Sequence, residues 1–417
     1  MTNFLPMPRL RLCAALVLVA GCYTYSPIDP AAVRPGTGVR ARVSGAAADR
    51  LAPLLGTGDA RLLSGRLVDL RTDTLMRAIA YDIMCWVKYL LVMPNTGPID
   101  TVEKVVAYYY LLTKIAEARG LKPELIMTIY LTDRLTPAMV ERLAKLPFKV
   151  AVKYYPPHKG ATTGSGEGVP LSDVREGLRA MAEHKIRLLG HFESVYDKNG
   201  RELPHLEREE YFMLHEFPRL RDEHPELDIN IEHASTALAI ERVKEDSRGK
   251  TTCGFTPHHL FLTLPELMKK SWANHGRCMP TPKSQHNVDA CLEFAASGDA
   301  RAHLGDDTAA HLSATKQGPF DQAACGCWLP HSLSLYAMAF KRAGALDDRF
   351  VRFACYNGPD TWGLPRPLPE DTVKLVADDI HDIPEPTPVP EKNDVVIPLG
   401  WTKEQDRLKV GLRLFCD

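Results

Sequence analysis

The sequence predicts an α/β protein, a (β/α)8 TIM-type barrel with an N-terminal appendage and a C-terminal extension, and two observations predict it. Apolar runs of strand length alternate with amphipathic helical segments, the pattern of parallel strands joined by helical crossovers. Polar and charged side chains stand immediately after those runs, where the C-terminal strand ends of such a barrel converge. Four segments follow from pattern and composition: 1–21, 22–65, 66–370 and 371–417.

In the first segment Arg9 and Arg11 precede an apolar run, Leu12 to Ala20, and Val19-Ala20-Gly21-Cys22 closes it. A charged start, a short apolar core and small residues before a cleavage point describe a secretory signal peptide. A Cys directly after Ala-Gly resembles a bacterial lipobox, which makes Cys22 a candidate lipid anchor. The run is too short to span a bilayer as a helix. The next segment is rich in Ala, Arg, Gly and Pro and reads as a linker or a small β-rich appendage.

The barrel elements follow in order. Tyr89 to Met93 reads as a buried strand, and Thr101 to Arg119 as a helix that Gly120 stops. Leu125 to Leu131 is a strand. Thr136-Pro137 then opens a helix, with Thr as N-cap and Pro in the first turn. Phe148 to Lys153 is a strand, Ser172-Asp173 opens a helix to His184, and Ile186 to Gly190 is the next strand. Ile229 to Ile231 is a strand followed by a helix from Ser235. Asn287 to Ala296 is helical and Ala302 to Leu304 is a late strand. Pro384 to Pro390 holds four prolines in seven residues and reads as a stiff connector. Val395 to Leu399 and Leu408 to Leu414 read as closing strands.

Composition narrows the function. The 417 residues are 45% hydrophobic and 25% charged, and 51 basic residues balance 52 acidic ones, so no basic surface for nucleic acid is indicated. The ten cysteines form no CxxC pair, and Cys325-Gly326-Cys327 is the closest spacing, so they read as buried free thiols.

The chemistry sits at the strand ends. Asn95 follows Leu90–Met93, Lys153 follows Val150–Val152, His191 follows Leu188–Gly190, His233 follows the Ile229 strand and Asp307 follows His303–Gly305. Singly, each has an ordinary role: a Lys reaching solvent, a His hydrogen-bonded in a core, an Asp capping a helix. Jointly, Lys153, His191, His233 and Asp307 arrive from four strands and make a metal cluster. Imidazole and carboxylate suit zinc, whereas an ammonium has no free lone pair to offer.

Several blocks carry a resemblance. They are Met93-Pro94-Asn95-Thr96, Lys153–Pro157 with Ala161-Thr162-Thr163, Glu232-His233, Thr256-Pro257-His258-His259-Leu260, Leu304–His311, Cys325-Gly326-Cys327, Asn357–Asp360 and Gly363–Arg366. In this order they resemble dihydroorotase of the single-function bacterial type, a metal-dependent amidohydrolase. The resemblance implies a hydrolase that interconverts carbamoyl-aspartate and dihydroorotate, small-molecule substrates of pyrimidine synthesis. It implies two zinc ions bridged by a carbamylated Lys153, with His191 and His233 on one. Asp307 would bind the other zinc and act as catalytic base, then acid. It implies that Arg71, Asn95 and His311 hold the substrate carboxylate, and that Thr162 and Thr163 sit on a loop that closes over it. Homodimers are common in the family, and a cytoplasmic location follows from the pathway, in conflict with the lipobox.

The sequence also departs from the family. Its opening His-x-His-x-Arg falls, by an ungapped count, on Leu67-Val68-Asp69-Leu70-Arg71; Arg71 matches, but Leu67 and Asp69 fill the two His slots, and the first His of the chain is His158. One tightly held zinc or none is therefore expected, with weakened activity. The alternative is a non-catalytic barrel serving as scaffold or partner subunit, the role some dihydroorotase-like proteins play for aspartate transcarbamoylase. A further reading makes the match at Arg71 chance and the N-terminus a fusion onto a truncated barrel. Phe192, where the family has Gly, is predicted to crowd the metals. Asp306, where the family has Thr, is predicted to raise the pKa of Asp307. The segment after Cys327 is shorter than in the family.

Overall fold

The structure is a computed structural model. It describes residues 87–94, 98–118, 120–157, 168–368, 383–389 and 393–410 in full, and the backbone of 11–13, 16–19, 372–377 and 412–415. After β1 (Arg11–Cys13), eight strands form one parallel sheet in chain order. These are β2 (Leu16–Val19), β3 (Tyr89–Val92), β4 (Glu124–Tyr130), β5 (Val150–Tyr154), β6 (Leu188–Gly190), β7 (Ile229–Ile231), β8 (Thr251–Phe255) and β9 (Ala302–Leu304). Parallel neighbours need crossovers, and helices supply them. They are α1 (Val102–Glu117), α2 (Pro137–Ala144), α3 (Arg175–Glu183), α4 (Arg208–His215), α5 (Phe217–Glu223), α6 (Ala237–Glu245), α7 (Leu264–Leu267) and α8 (Gln285–Ala295). Helices α9 (Ser332–Arg342), α10 (Asp348–Val351) and α11 (Asn357–Trp362) follow β9. The result is the curled α/β barrel that the sequence predicts. No helix among the described residues is long and apolar enough to cross a membrane.

Alternation sorts the side chains into two layers. Tyr89, Leu91, Met93, Ile126, Ala151 and Leu189 pack together with Ala309 and Trp362. Leu90, Val92, Met127, Ile129, Val152, Leu188, Ile229 and Ile231 pack instead with the helices, against residues such as Val105, Leu178 and Phe212. Strands buried on both faces explain why β3 reads as an unbroken apolar run. The helix starts hold as read: Thr101 caps α1 and Thr136 caps α2, each accepting a backbone N–H three residues on, with Pro137 in the first turn. Gly120 follows α1 with φ +69°, a conformation that favours glycine.

Three elements differ from the sequence expectation. The Leu12–Ala20 run, read as a signal core, contributes β2, which pairs in parallel register with β3; a Leu-Val-Leu-Val run has the pattern of a buried parallel strand as well as that of a signal core. Thr251-Thr252-Cys253-Gly254-Phe255 forms β8 although its polar content hid it. The proline-rich stretch is more than a connector. Thr387-Pro388-Val389 is β11, paired antiparallel with β12 (Asp394–Val396), and two-stranded ribbons tolerate Pro because each strand is an edge. A further strand, β10 (Thr372–Ala377), lies between β1 and β13 (Leu412–Phe415) in a separate antiparallel sheet.

Candidate active site

Lys153, His191, His233 and Asp307 come from or just after β5, β6, β7 and β9, at the C-terminal ends of the strands. Lys153 is buried, its Nζ finds no hydrogen-bond partner, and it lies 4.9 Å from the centre of the Tyr155 ring. Burial lowers its pKa, opposed by the charges of Glu232 and Asp307. A larger neutral fraction follows, and a neutral amine has a lone pair.

The two imidazoles meet edge to face, 4.5 Å between ring centres. His191 Nε2 lies 2.6 Å from Glu193 Oε2, so Nδ1 is the nitrogen left for a ligand. His233 has φ +43° and a buried Nδ1 without a partner. Burial lowers the pKa of both rings, His233 well below the ordinary histidine value, so both are neutral and able to donate a lone pair. Asp307 also sits in the left-handed region, at φ +49°. Two non-glycine residues held there at strand ends mark a site whose surroundings impose the backbone.

Asp307 keeps some exposure at the mouth. Burial pushes its carboxyl up to about 7, against the pull of Lys153 and with a further push from Glu232. The neighbour Asp306 is not the cause that the sequence suggested. Its side chain turns away, accepting from the Thr308 N–H at 3.2 Å and the Ser332 hydroxyl at 3.0 Å. Phe192 also corrects an expectation. It does not crowd the metal ligands: alternation turns its ring outward, where it stacks on Phe212 at 4.9 Å and meets Phe217 edge-on at 5.6 Å. Glycine at 190 makes room for it, since a Cβ there would lie 2.0 Å from the Phe192 ring.

His311, four residues after Asp307, is half-buried, with Nε2 unpartnered and its pKa lowered by burial to about 3. Arg71, Asn95, Thr162, Thr163 and Cys22 lie outside the described residues, as does the Leu67–Arg71 segment. Sequence reasoning missed the supporting groups. Glu193 binds His191 from two residues on. Asn230 donates to Glu232 Oε1 at 2.6 Å and accepts from the Thr252 hydroxyl. Glu209 holds the turn after His233. Period-two spacing from a ligand was the signal for Glu193; for Glu209 there was none.

The donor set fits a metal in part. Orphaned Lys153 Nζ and His233 Nδ1, and a carboxylate behind His191, are what zinc ligands and their supports look like. Asp307 does not close with the two imidazoles into a tight trio. Among the described residues, the group of three His, Cys, Asp or Glu ligand atoms within 4.8 Å of one another is His258, Cys278 and Cys327.

No protein-family profile matches the chain. It is 37% identical over 336 residues to the dihydroorotase of Halorhodospira halophila, covering 79% of this chain and 92% of that one. It is 33% identical over 342 residues to the dihydroorotase of a Picosynechococcus species, covering 81% and 93%. Among solved structures, the dihydroorotase of Saccharomyces cerevisiae in complex with 5-fluoroorotic acid superimposes with a TM-score of 0.70 at 24% identity, over 82% of this chain and 92% of that chain. The dihydroorotase of Campylobacter jejuni gives 0.68 at 22% identity, over 84% and 93%. These two likenesses support the barrel fold.

Proposed function

The chain belongs to the dihydroorotase family, and from that premise we propose that it interconverts carbamoyl-aspartate and dihydroorotate at the barrel mouth, with activity weakened by the missing His-x-His pair. The observation that carries this reading is the convergence of Lys153, His191, His233 and Asp307, two of them with buried, unpartnered nitrogens. A scaffold has no need for such groups, each of which costs free energy to bury.

Zinc is the family's metal; when bound it would acidify a water and polarise the ring amide carbonyl. His191 and His233 would hold it, neutral as their burial requires. The neutral fraction of Lys153 suits carbamylation, in which the amine nitrogen adds to carbon dioxide and releases a proton. Asp307, with its carboxyl near 7, takes the proton from the attacking water and returns it to the departing amide nitrogen. Arg71, Asn95 and His311 would hold the substrate carboxylate, and Thr162 and Thr163 the covering loop.

A second reading is favoured by one observation: no His precedes His158, so no segment before it supplies an imidazole to the first strand. That reading is a non-catalytic barrel acting as a scaffold or partner subunit. Elemental analysis after dialysis, paired with a dihydroorotate hydrolysis assay, separates the two. We expect at most about one zinc per chain, and slow turnover that Asp307→Asn abolishes. No zinc and no turnover would establish the scaffold; two tightly held zincs would refute the loss of the first motif.

A further inference from the structure

Apart from the four groups at the mouth, the chain gathers a second set of ligating side chains. His258, in the short turn after β8, Cys278, before Met279-Pro280, and Cys327, in the segment after β9, are each at least 97% buried. Their ligand atoms all lie within 4.8 Å of one another, with His258 Nε2 3.1 Å from Cys278 Sγ. His258 Nδ1 is buried without a partner.

The backbone around the two thiols is tied together. The Gly326 N–H donates to the Arg277 carbonyl at 2.9 Å, joining the residues that precede the two cysteines. The Lys316 ammonium, itself buried, donates to that same carbonyl at 3.2 Å and to the Gly326 carbonyl. Gly326 has φ +130°, and a Cβ there would lie 2.6 Å from the Ala309 side chain, so the approach requires glycine. Two thiols and an imidazole are the soft donor set of a zinc centre, and they already lie within the 4.8 Å that one ion could gather.

We propose that His258, Cys278 and Cys327 form a separate three-ligand site for a thiophilic divalent cation of the zinc class, and that its occupancy fixes the loop carrying Asp307 and His311. The connection to that loop is direct. The Ala309 N–H donates to the Cys327 carbonyl at 2.7 Å, and the Leu329 N–H donates to the Thr308 hydroxyl at 2.9 Å. Burial holds the Cys278 thiol well above its ordinary range. Thiolate ligation releases a proton from each cysteine as its sulfur–metal bond forms, so binding tightens as pH rises.

Cobalt(II) tests this without any assay of turnover. Added to reduced, chelator-stripped protein, it is expected to give a thiolate-to-cobalt charge-transfer band in the near ultraviolet with visible bands of tetrahedral intensity. Lys153, His191, His233 and Asp307 offer only nitrogen and oxygen donors, so His191→Ala with His233→Ala is expected to keep the band. Cys278→Ser and Cys327→Ser are each expected to lose it. Should those variants misfold, thiol labelling of the wild type read by peptide mass spectrometry decides: zinc(II) must protect Cys278 and Cys327 together. In the same samples, amide exchange across 307–311 must slow when zinc(II) is added. Absence of the band, its persistence in both serine variants, or labelling unaffected by zinc overturns the site. Unchanged exchange overturns its hold on the loop.

Discussion

At the scale of single residues, the site is held by buried polar groups that never touch a substrate. Glu209 is the clearest. It accepts from the Ser235 N–H at 3.0 Å, the Ser235 hydroxyl at 2.5 Å and the Thr236 hydroxyl at 2.7 Å. Those donors lie two and three residues after His233, so they offset the roughly 1–3 kcal/mol that its left-handed backbone costs. Burial raises the Glu209 pKa above the ordinary 4.5, opposed by Lys283 and by the same hydrogen bonds. An acid whose folded pKa exceeds its unfolded one binds its proton more tightly in the folded state. The stability it contributes is complete below the unfolded pKa and is lost as pH rises through the folded pKa. Glu209→Gln keeps the shape but cannot ionise. Its melting temperature is expected to rise relative to wild type as pH climbs above the ordinary 4.5. A variant that instead loses ground as pH rises would show that Glu209 is stabilised as the anion. Glu209→Ala leaves three donors unsatisfied and is expected to cost about 3 kcal/mol in urea unfolding.

At the scale of elements, close approach decides more than propensity. Gly177 lies in α3, where alanine ordinarily gains about 1 kcal/mol. A Cβ there would stand 2.3 Å from the Leu135 carbonyl oxygen, and backbone cannot swing aside. Gly177→Ala is therefore expected to destabilise by about 1–3 kcal/mol, seen as a lower urea midpoint; a raised midpoint would mean that α3 and the turn before α2 are not so tightly packed. Phe192→Ala is expected to cost about 3–5 kcal/mol while leaving metal content unchanged, because the ring packs behind the sheet. Helices with a polar cap and a proline were legible in the sequence, as at Thr136-Pro137, because capping is a local interaction. Strands β3 and β7 were legible as apolar runs. β8 was not, since Thr251, Thr252 and Gly254 are buried by neighbours that only the tertiary fold supplies. His191 and His233 were legible by their place after strands. The inward reading of Phe192 failed because it follows a ligand by one residue and so faces the opposite way. His258, Cys278 and Cys327 were illegible as a group, since they are far apart in sequence and no short motif joins them.

At the scale of the whole molecule, the segment after the barrel closes over the loops that carry the site. The Leu399 N–H donates to the Trp328 carbonyl at 2.9 Å, and the Ala314 N–H to Asp394 Oδ2 at 3.0 Å. Asp406 takes the Ser271 N–H at 2.8 Å and, through its carbonyl, the Trp272 indole at 3.1 Å. Ile383, Leu399 and Val410 pack with Leu267, Trp272, Cys278, Cys327 and Leu329. None of these contacts reaches a barrel strand; they reach the segments after β8 and β9. A chain ended before Ile383 loses β11, β12 and β13, no member of the parallel sheet. Its barrel is therefore expected to fold, with the stretch from Ala309 to Leu329 released. Two measurements follow: amide exchange should accelerate there while β3 to β7 stay protected, and tryptophan emission should shift to the red as Trp272 and Trp328, both buried, meet water. Asp307 and His311 are anchored through that stretch, so the truncated chain should also lose metal affinity before it loses helix content. If the strands exchange as fast as the loop, the extension belongs to the barrel's own cooperative unit; if neither changes, its contacts contribute nothing to holding the site.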